Sequence, residues 1–123
     1  PEDAVLAGLV EAFDEEGQPI GAVCHGPAAL VGARKADGTP FLAGRRLTGF
    51  TNGEEDAVEL SDVVPFLLEE RLRDLGASID NAPDFTEHAV TDGNLVTGQN
   101  PQSSEAGAKA VLAFLATRSG ATA

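Results

Sequence analysis

The residues with the clearest chemical potential are Cys24 and His25, which stand together in the run Cys24-His25-Gly26-Pro27. A cysteine thiolate is a nucleophile, and an imidazole beside it can take up or return a proton near neutral pH. Cys24 is the one cysteine among 123 residues, so the chain forms no internal disulfide. Its thiol is therefore either an inert part of the core or a reactive group.

The segments on either side of Cys24 predict that its thiol projects from the end of a strand. Residues 20–24 form a short apolar run without alternation, which is typical of a strand buried on both faces of a parallel sheet. The chain turns at residues 25–27, where Gly26 removes a side chain that would crowd the bend, and residues 28–33 predict a helix with Pro27 in its first turn. A strand that bends sharply into a helix presents one side chain at the carboxyl edge of the sheet, where ligands bind in open α/β folds.

This arrangement predicts two properties of the thiol site. The N-terminus of the following helix favours the thiolate of Cys24, and the backbone N–H of His25 can donate to a developing oxyanion. The His25 side chain has two interpretations. It is a turn residue without a chemical role, or it exchanges a proton with the thiol, since neighbouring side chains can meet at a sharp bend.

The rest of the chain predicts alternating helices and strands, which indicates a single α/β domain. Helices are expected at residues 2–16, 65–75 and 103–117, with a capped helix start at residues 51–55. Short strands are expected at 77–79 and as a hairpin formed by 88–91 and 94–97; residues 41–42 and 46–48 are weaker candidates for a hairpin. In the last helix we expect an inward face of four residues: Ala108, Val111, Leu112 and Leu115.

Composition excludes several classes of partner. The chain has 20 acidic and 8 basic residues and a net charge of −12, so its surface repels nucleic acid backbones. No apolar run approaches the roughly 20 residues that cross a bilayer. The spacing of His, Cys and Asp predicts no metal site, and no phosphate-binding loop is present, so we expect no cofactor. A single free thiol fits a cytoplasmic setting.

Three stretches resemble the class I glutamine amidotransferase-like superfamily, in its ThiJ/PfpI branch. Residues 22–30, Ala-Val-Cys-His-Gly-Pro-Ala-Ala-Leu, are similar to the nucleophile segment of that branch. Residues 47–55 resemble the loop that follows this segment in the heat-shock chaperone/glyoxalase III group. Residues 92–104 resemble the C-terminal signature of the same group. The three stretches occur in the family's order and together extend across most of the chain.

The resemblance implies a flavodoxin-like three-layer sandwich with a mostly parallel sheet, and a homodimer. It implies a Cys–His–acid triad with Cys24 as nucleophile, His25 as base and Glu55 as acid. Glu54 and Asp56 flank Glu55, so a shift of one residue stays open. The family also places a glutamate and a Gly-Gly-containing loop upstream of the nucleophile, and neither occurs here. We therefore expect residues 1–123 to be the C-terminal portion of one ThiJ/PfpI-type domain that lacks its N-terminal strands and needs the upstream portion.

The activity that the resemblance implies is a cofactor-independent, glyoxalase III-like conversion of methylglyoxal, a small reactive dicarbonyl, into D-lactate through a hemithioacetal on Cys24. One alternative is a cysteine peptidase or amidase that uses the same thiol. Another is a non-enzymatic redox-stress sensor or chaperone, and a purely structural module is the remaining possibility. Three other polar residues rank below these: His88 is assigned a structural role, and Gln99 and Asn100 either border the pocket or serve the turn before Pro101.

Overall fold

Pairing between distant parts of the chain builds the sheets. The computed structural model describes the backbone of residues 3–122 and the side chains of residues 3–117. In this part of the chain, β1 (Ile20–Val23), β5 (Leu95–Gly98) and β4 (Ala89–Asp92) form a three-stranded sheet in the order β1-β5-β4. A second sheet pairs β2 (Arg46–Leu47) with β3 (Ser78–Ile79). Both β1–β5 and β2–β3 are parallel, while β4 runs antiparallel to β5.

Helices cover these sheets and complete an α/β architecture. They are α1 (Ala4–Glu15), α2 (Asn52–Ala57), α3 (Leu68–Asp74) and α4 (Ser104–Thr122), with short 3₁₀ helices at Gly26–Leu30 and Pro101–Ser103. α4 packs against β1, β4 and β5, α1 contacts β1, and α3 contacts β3. This confirms the predicted α/β class with a small, mostly parallel sheet. No helix in the described part of the chain is long and apolar enough to cross a membrane.

The first helix and the 89–98 hairpin form where the sequence predicts them. Asp3 caps α1, because its side chain accepts hydrogen bonds from the N–H groups of Val5 at 2.8 Å and Leu6 at 3.0 Å. Glu2, where the predicted helix begins, lies outside the described residues. In the hairpin, Gly93 has a φ of 59°, a left-handed conformation that glycine adopts without steric cost.

The helix predicted at residues 28–33 is a single 3₁₀ helix of five residues, Gly26–Leu30. Its hydrogen bonds span three residues, as in the bond from the Ala28 N–H to the His25 carbonyl at 3.0 Å. The predicted helix at 65–75 is also shorter than expected, because residue 67 is extended and α3 begins at Leu68.

The hairpin predicted within residues 41–48 is wrong. The first part of this segment forms turns, and β2 pairs in parallel with β3. The Arg45 side chain accounts for this path, since its Nη2 donates to the Asp92 carbonyl at 2.8 Å and to Asn94 Oδ1 at 3.0 Å. These contacts bind the segment to the β4–β5 turn, nearly fifty residues later in the chain.

The inward face predicted for the last helix is also wrong in part. Leu112 is 65 % exposed and Leu115 is 39 % exposed, and Ala108 is exposed as well. The buried position is Gly107, with Val111 half-buried beside it. Because Gly107 has no side chain, α4 approaches β1 closely along this line and turns the two leucines outward.

The core and the edge of the sheet differ in how well they are covered. Fully buried aliphatic and aromatic residues pack between α3, β2, β5 and the first 3₁₀ helix; they include Leu30, Phe41, Leu42, Leu47, Leu72 and Leu95. β1, which was expected to be buried on both faces, lies at the edge of its sheet in the described structure. Its residues are half-buried, and Gly21 is exposed.

Candidate active site

Cys24 lies at a sharp bend directly after β1. Its φ is 61°, in the left-handed region that residues with a side chain rarely adopt. Two backbone bonds hold it there: its N–H donates to the Gly98 carbonyl at 2.8 Å, and its carbonyl accepts from the Phe50 N–H at 2.8 Å. The sequence assigned the relief of this bend to Gly26, but a Cβ there would meet only ordinary contact, 3.4 Å from Ala22 Cβ. The strained residue is the cysteine itself, as is common at functional sites.

The bend brings the thiol next to the imidazole. Cys24 Sγ lies 3.4 Å from His25 Nδ1, and His25 Nε2 lies 2.8 Å from Glu55 Oε2. When the imidazole proton is on Nε2, it donates to the carboxylate and leaves Nδ1 free to accept the thiol proton. The structure thus places the three residues assigned to the triad in one continuous chain of contacts.

The carboxylate in this chain is shielded from water, while the imidazole is not. The Glu55 side chain is 2 % exposed and that of His25 is 47 % exposed. Asp56, which follows Glu55, is exposed and accepts a hydrogen bond from Ser61. Among the three acids that the sequence left open, Glu55 is therefore the one that faces the imidazole.

Glu54 has a different environment and a structural part in the site. Its side chain is fully buried and accepts hydrogen bonds from Asn100 Nδ2 at 2.7 Å, the Phe85 N–H at 2.7 Å and the Thr51 N–H at 3.0 Å. Burial opposes its ionisation, but these hydrogen bonds outweigh that effect and lower the pKa of Glu54. The charged carboxylate fastens the start of α2 to the residues that follow β5.

The helix that carries both glutamates is capped as the sequence predicts. Thr51 Oγ1 accepts from the Glu54 N–H at 3.1 Å, and Glu54 Oε1 accepts from the Thr51 N–H, which together make a capping box. Glu55 follows directly, so the cap fixes the direction in which its carboxylate leaves the helix.

An aromatic residue that sequence reasoning missed orients the imidazole. The ring of Phe50 lies 4.5 Å from that of His25, and the ring of Phe85 packs edge-on against Phe50 at 5.8 Å. Phe50 is 4 % exposed, so this stack is a fixed wall of the site. The sequence feature that could have identified Phe50 is its position directly before the capping residue Thr51.

The electrostatic environment does not favour the thiolate in the way the sequence predicts. Burial raises the pKa of the Cys24 thiol, the His25 backbone N–H lowers it, and the carboxylates of Glu54 and Glu55 raise it again. The net result is a raised pKa. A five-residue 3₁₀ helix provides little of the dipole on which the prediction relied, and two anions stand close by.

The other polar residues considered in the sequence hold loops outside this chain of contacts. His88 Nε2 lies 2.8 Å from the Asp80 carbonyl, and Gln99 bonds the backbone N–H and carbonyl of Ala82 at 2.8 and 3.1 Å. Asn100 bonds Glu54. Within the described residues, no group of three or more His, Cys, Asp or Glu side chains is arranged to hold a metal ion.

Comparison with known proteins places this geometry in a family. The DJ-1/PfpI family model matches residues 1–113. The chain belongs to the DJ-1/PfpI family. It is 32 % identical over 123 residues to the probable glutathione-independent glyoxalase hsp3103 of Schizosaccharomyces pombe, a match that includes 94 % of this chain and 47 % of the relative.

Solved structures of similar proteins agree with the assignment of this chain to the DJ-1/PfpI family. Rapid Encystment Protein 24 KDa of Francisella tularensis superposes with a TM-score of 0.91 at 37 % identity, over 94 % of this chain and 51 % of that one. Glyoxalase III of Candida albicans superposes with a TM-score of 0.82 at 30 % identity, over 88 % and 48 %. The fold is therefore the flavodoxin-like fold of the family. The chain spans about half the length of the curated relatives it matches.

Proposed function

We propose that this chain carries the catalytic residues of a glyoxalase III-type enzyme that converts methylglyoxal into D-lactate without a cofactor. The observation that carries the proposal is the unbroken chain of contacts from Cys24 Sγ through the His25 imidazole to Glu55 Oε2. The names of several relatives at about 30–33 % identity, which are glyoxalases, support the same chemistry.

In this proposal Cys24 is the nucleophile and His25 moves the protons. The thiol proton passes to Nδ1 as sulfur bonds to the aldehyde carbon, and the former carbonyl oxygen takes up a proton to give a hemithioacetal. His25 then removes the hydrogen from that carbon and a proton is returned to the neighbouring ketone carbon. The hydroxyl proton of the hemithioacetal passes to the former ketone oxygen, which leaves a thioester of a 2-hydroxy acid. Water cleaves the C–S bond and restores the thiol. One carbon is oxidised while its neighbour is reduced, so the reaction consumes only water.

Glu55 has a supporting role in this scheme. Its carboxylate accepts the Nε2 proton, which selects the tautomer with a free Nδ1 and stabilises the imidazolium once the thiol proton has moved. This function compensates for the raised pKa of Cys24, because the thiol is deprotonated by its neighbour during the reaction and need not be charged beforehand.

We further propose that residues 1–123 form the C-terminal portion of a single domain in a cytoplasmic, homodimeric enzyme. The edge position of β1 in the described sheet, and the relatives' greater length, support strands added from upstream sequence. Apolar side chains on α1 support a covered surface there, since Val5 is 75 %, Leu9 55 % and Phe13 49 % exposed.

The test is turnover of methylglyoxal by the full-length protein, with D-lactate measured by a stereospecific assay. We expect Cys24→Ser, a near-isosteric change, to lower kcat/KM by about a thousandfold or more while the melting temperature is retained. Absence of D-lactate from the unaltered protein, or full activity in Cys24→Ser, would contradict the proposal.

The unaltered protein, Cys24→Ser and Cys24→Ala together separate the alternatives. Peptide or amide cleavage that disappears in Cys24→Ser, without D-lactate formation, would indicate a peptidase or amidase. Conversion of Cys24 to a sulfinic acid by mild peroxide would indicate a redox sensor. Suppression of client aggregation by Cys24→Ala would indicate a chaperone.

A further inference from the structure

An apolar cavity of about 170 Å³ opens beside the His25 imidazole. His25 forms one wall, and the others are Ala28, Val64, Pro65, Phe66 and Leu68. The chain between α2 and α3 thus contributes a hydrophobic wall directly next to the proposed proton carrier. None of the reaction steps described above uses this cavity.

Two residues of this wall, Phe66 and Leu68, are held by contacts with the rest of the protein. Leu68 is 3 % exposed and belongs to the core, and the Arg71 guanidinium lies over the Phe66 ring at 4.2 Å from its centroid. An aromatic ring held by a cation on one face loses little further freedom when a ligand packs against it. Phe66 and Leu68 therefore give the cavity a preformed part of its lining.

The position of the cavity relates it to the substrate. Cys24 Sγ lies 3.4 Å from His25 Nδ1, so a substrate carbon bonded to sulfur lies against the imidazole that borders the cavity. In a 2-oxoaldehyde the substituent is attached to the carbon next to the one that sulfur attacks. Because the imidazole lies beside the sulfur-bonded carbon and also lines the cavity, the cavity is a candidate position for that substituent.

The size of the cavity exceeds what a methyl group requires. An apolar protein cavity of about 150 Å³ accommodates benzene. A cavity of about 170 Å³ therefore has room for a phenyl or branched-alkyl group. A methyl group would leave most of it empty, and the lost contacts would weaken binding in the transition state.

We propose that this cavity binds the apolar substituent of the substrate, so that the enzyme prefers 2-oxoaldehydes with an aryl or branched-alkyl group over methylglyoxal. The inference rests on the proposed function and specifies its substrate class. Val64, Pro65 and Phe66 are then the residues that determine specificity. Each reaction step balances as for methylglyoxal, and phenylglyoxal plus water gives mandelate.

The experiment compares kcat/KM for phenylglyoxal and methylglyoxal in the full-length protein. We expect Val64→Phe, which fills the cavity, to lower the phenylglyoxal-to-methylglyoxal ratio by about tenfold or more, as loss of a hydrophobic subsite does. Val63→Phe is the matched control, because Val63 is the adjacent residue, is 72 % exposed and does not line the cavity. It should leave the ratio unchanged.

A second measurement does not depend on the folding of any variant. Along a series of methyl, isobutyl, phenyl and naphthyl glyoxals, kcat/KM of the unaltered enzyme should rise to the benzene-sized substituent and fall at naphthyl. Equal kcat/KM along the series would overturn the assignment of the cavity, and so would an equal change of the phenylglyoxal-to-methylglyoxal ratio in Val64→Phe and Val63→Phe. In either case, turnover of methylglyoxal would leave the proposed function intact. No turnover of any member would overturn both.

Discussion

Cys24 differs from the thiolate that its sequence context predicts, and the difference explains why its neighbours are arranged as they are. Two carboxylates and partial burial disfavour a resting negative charge on sulfur. Glu55 Oε2 lies 2.8 Å from His25 Nε2, and His25 Nδ1 lies 3.4 Å from the sulfur. The residues therefore suit transfer of a proton between thiol and imidazole during the reaction better than storage of a free thiolate.

Replacement of Glu55 by glutamine tests this arrangement. An amide N–H directed at His25 Nε2 would force the imidazole proton onto Nδ1 and remove the acceptor for the thiol proton. We expect Glu55→Gln to lower kcat/KM for methylglyoxal by about a thousandfold, within the range of general-base catalysis. Asp56→Asn, one residue along and exposed, should stay within about twofold of the unaltered protein. Equal losses in the two variants would contradict the role given to Glu55.

Glu54 offers a prediction about stability and pH. The pKa of Glu54 is lower in the folded protein than its ordinary value of 4.5. Its contribution to the free energy of unfolding is therefore fully present above pH 4.5 and is lost as the pH falls through the pKa of the folded state. At pH 7, Glu54→Gln presents an amide to donors that need an acceptor, and we expect a loss of about 2 kcal/mol in the free energy of unfolding by urea. The difference from the unaltered protein should narrow as the pH falls below 4.5.

The control for this measurement is Glu87→Gln, an exposed glutamate in the loop before β4. It should change the urea midpoint little at any pH. A Glu54→Gln protein as stable as this control at pH 7, or a difference that widens in acid, would mean that the buried carboxylate does not fasten α2.

At the scale of elements, local patterns were predictable and pairing between distant segments was not. The capping box at Thr51 and the turn at Gly93 lie within a few residues of the structure they define, and both elements form as predicted. The path of residues 41–48 depends on Arg45 reaching the β4–β5 turn, which no local pattern announces. The strained φ of Cys24 likewise depends on backbone bonds to Gly98 and Phe50.

Some residues of the candidate site were predictable from the sequence and others were not, for the same reason. The triad residues were assigned from resemblance to family motifs, whose spacing is visible in the chain. Phe50, which stacks on His25, and Asn100, which binds Glu54, act through contacts that the fold alone brings together. The residue type of neither one indicates that contact.

Replacement of the capping residue of α2 tests whether this short helix aligns the acid. Thr51→Ala removes the side-chain acceptor of the Glu54 N–H, and we expect a loss of about 1 kcal/mol in the free energy of unfolding. Because Glu55 is on the same turn, kcat should fall while KM for methylglyoxal changes little. Thr51→Ser retains the hydroxyl and should restore both properties. A fall in KM and kcat by the same factor in both variants would contradict this.

At the scale of the whole molecule, the surface around β1 is apolar although the chain as a whole is strongly acidic. The protein carries a net charge of −12, yet two apolar cavities adjoin this strand. One, of about 210 Å³, lies between β1 and α4, and the other, of about 310 Å³, lies between β1 and α1. Exposed apolar area of this kind on an acidic protein is typical of an interaction surface. The proposed upstream strands fit there, since the edge of β1 offers unpaired backbone groups in the described sheet.

This leads to a prediction for residues 1–123 expressed alone and for the full-length protein. The isolated chain should bind the dye ANS strongly and associate with itself, because Leu9, Phe13 and Ile20 would lack the proposed upstream strands, and it should not turn over methylglyoxal. The full-length protein should bind little dye and be active. Full-length Cys24→Ser is the control, because it is inactive for a chemical reason and should bind no more dye than the unaltered protein. An isolated chain that is monomeric, active and free of dye would show that β1 and α1 need no covering segment, and the cavities beside them would then be ordinary features of a complete fold.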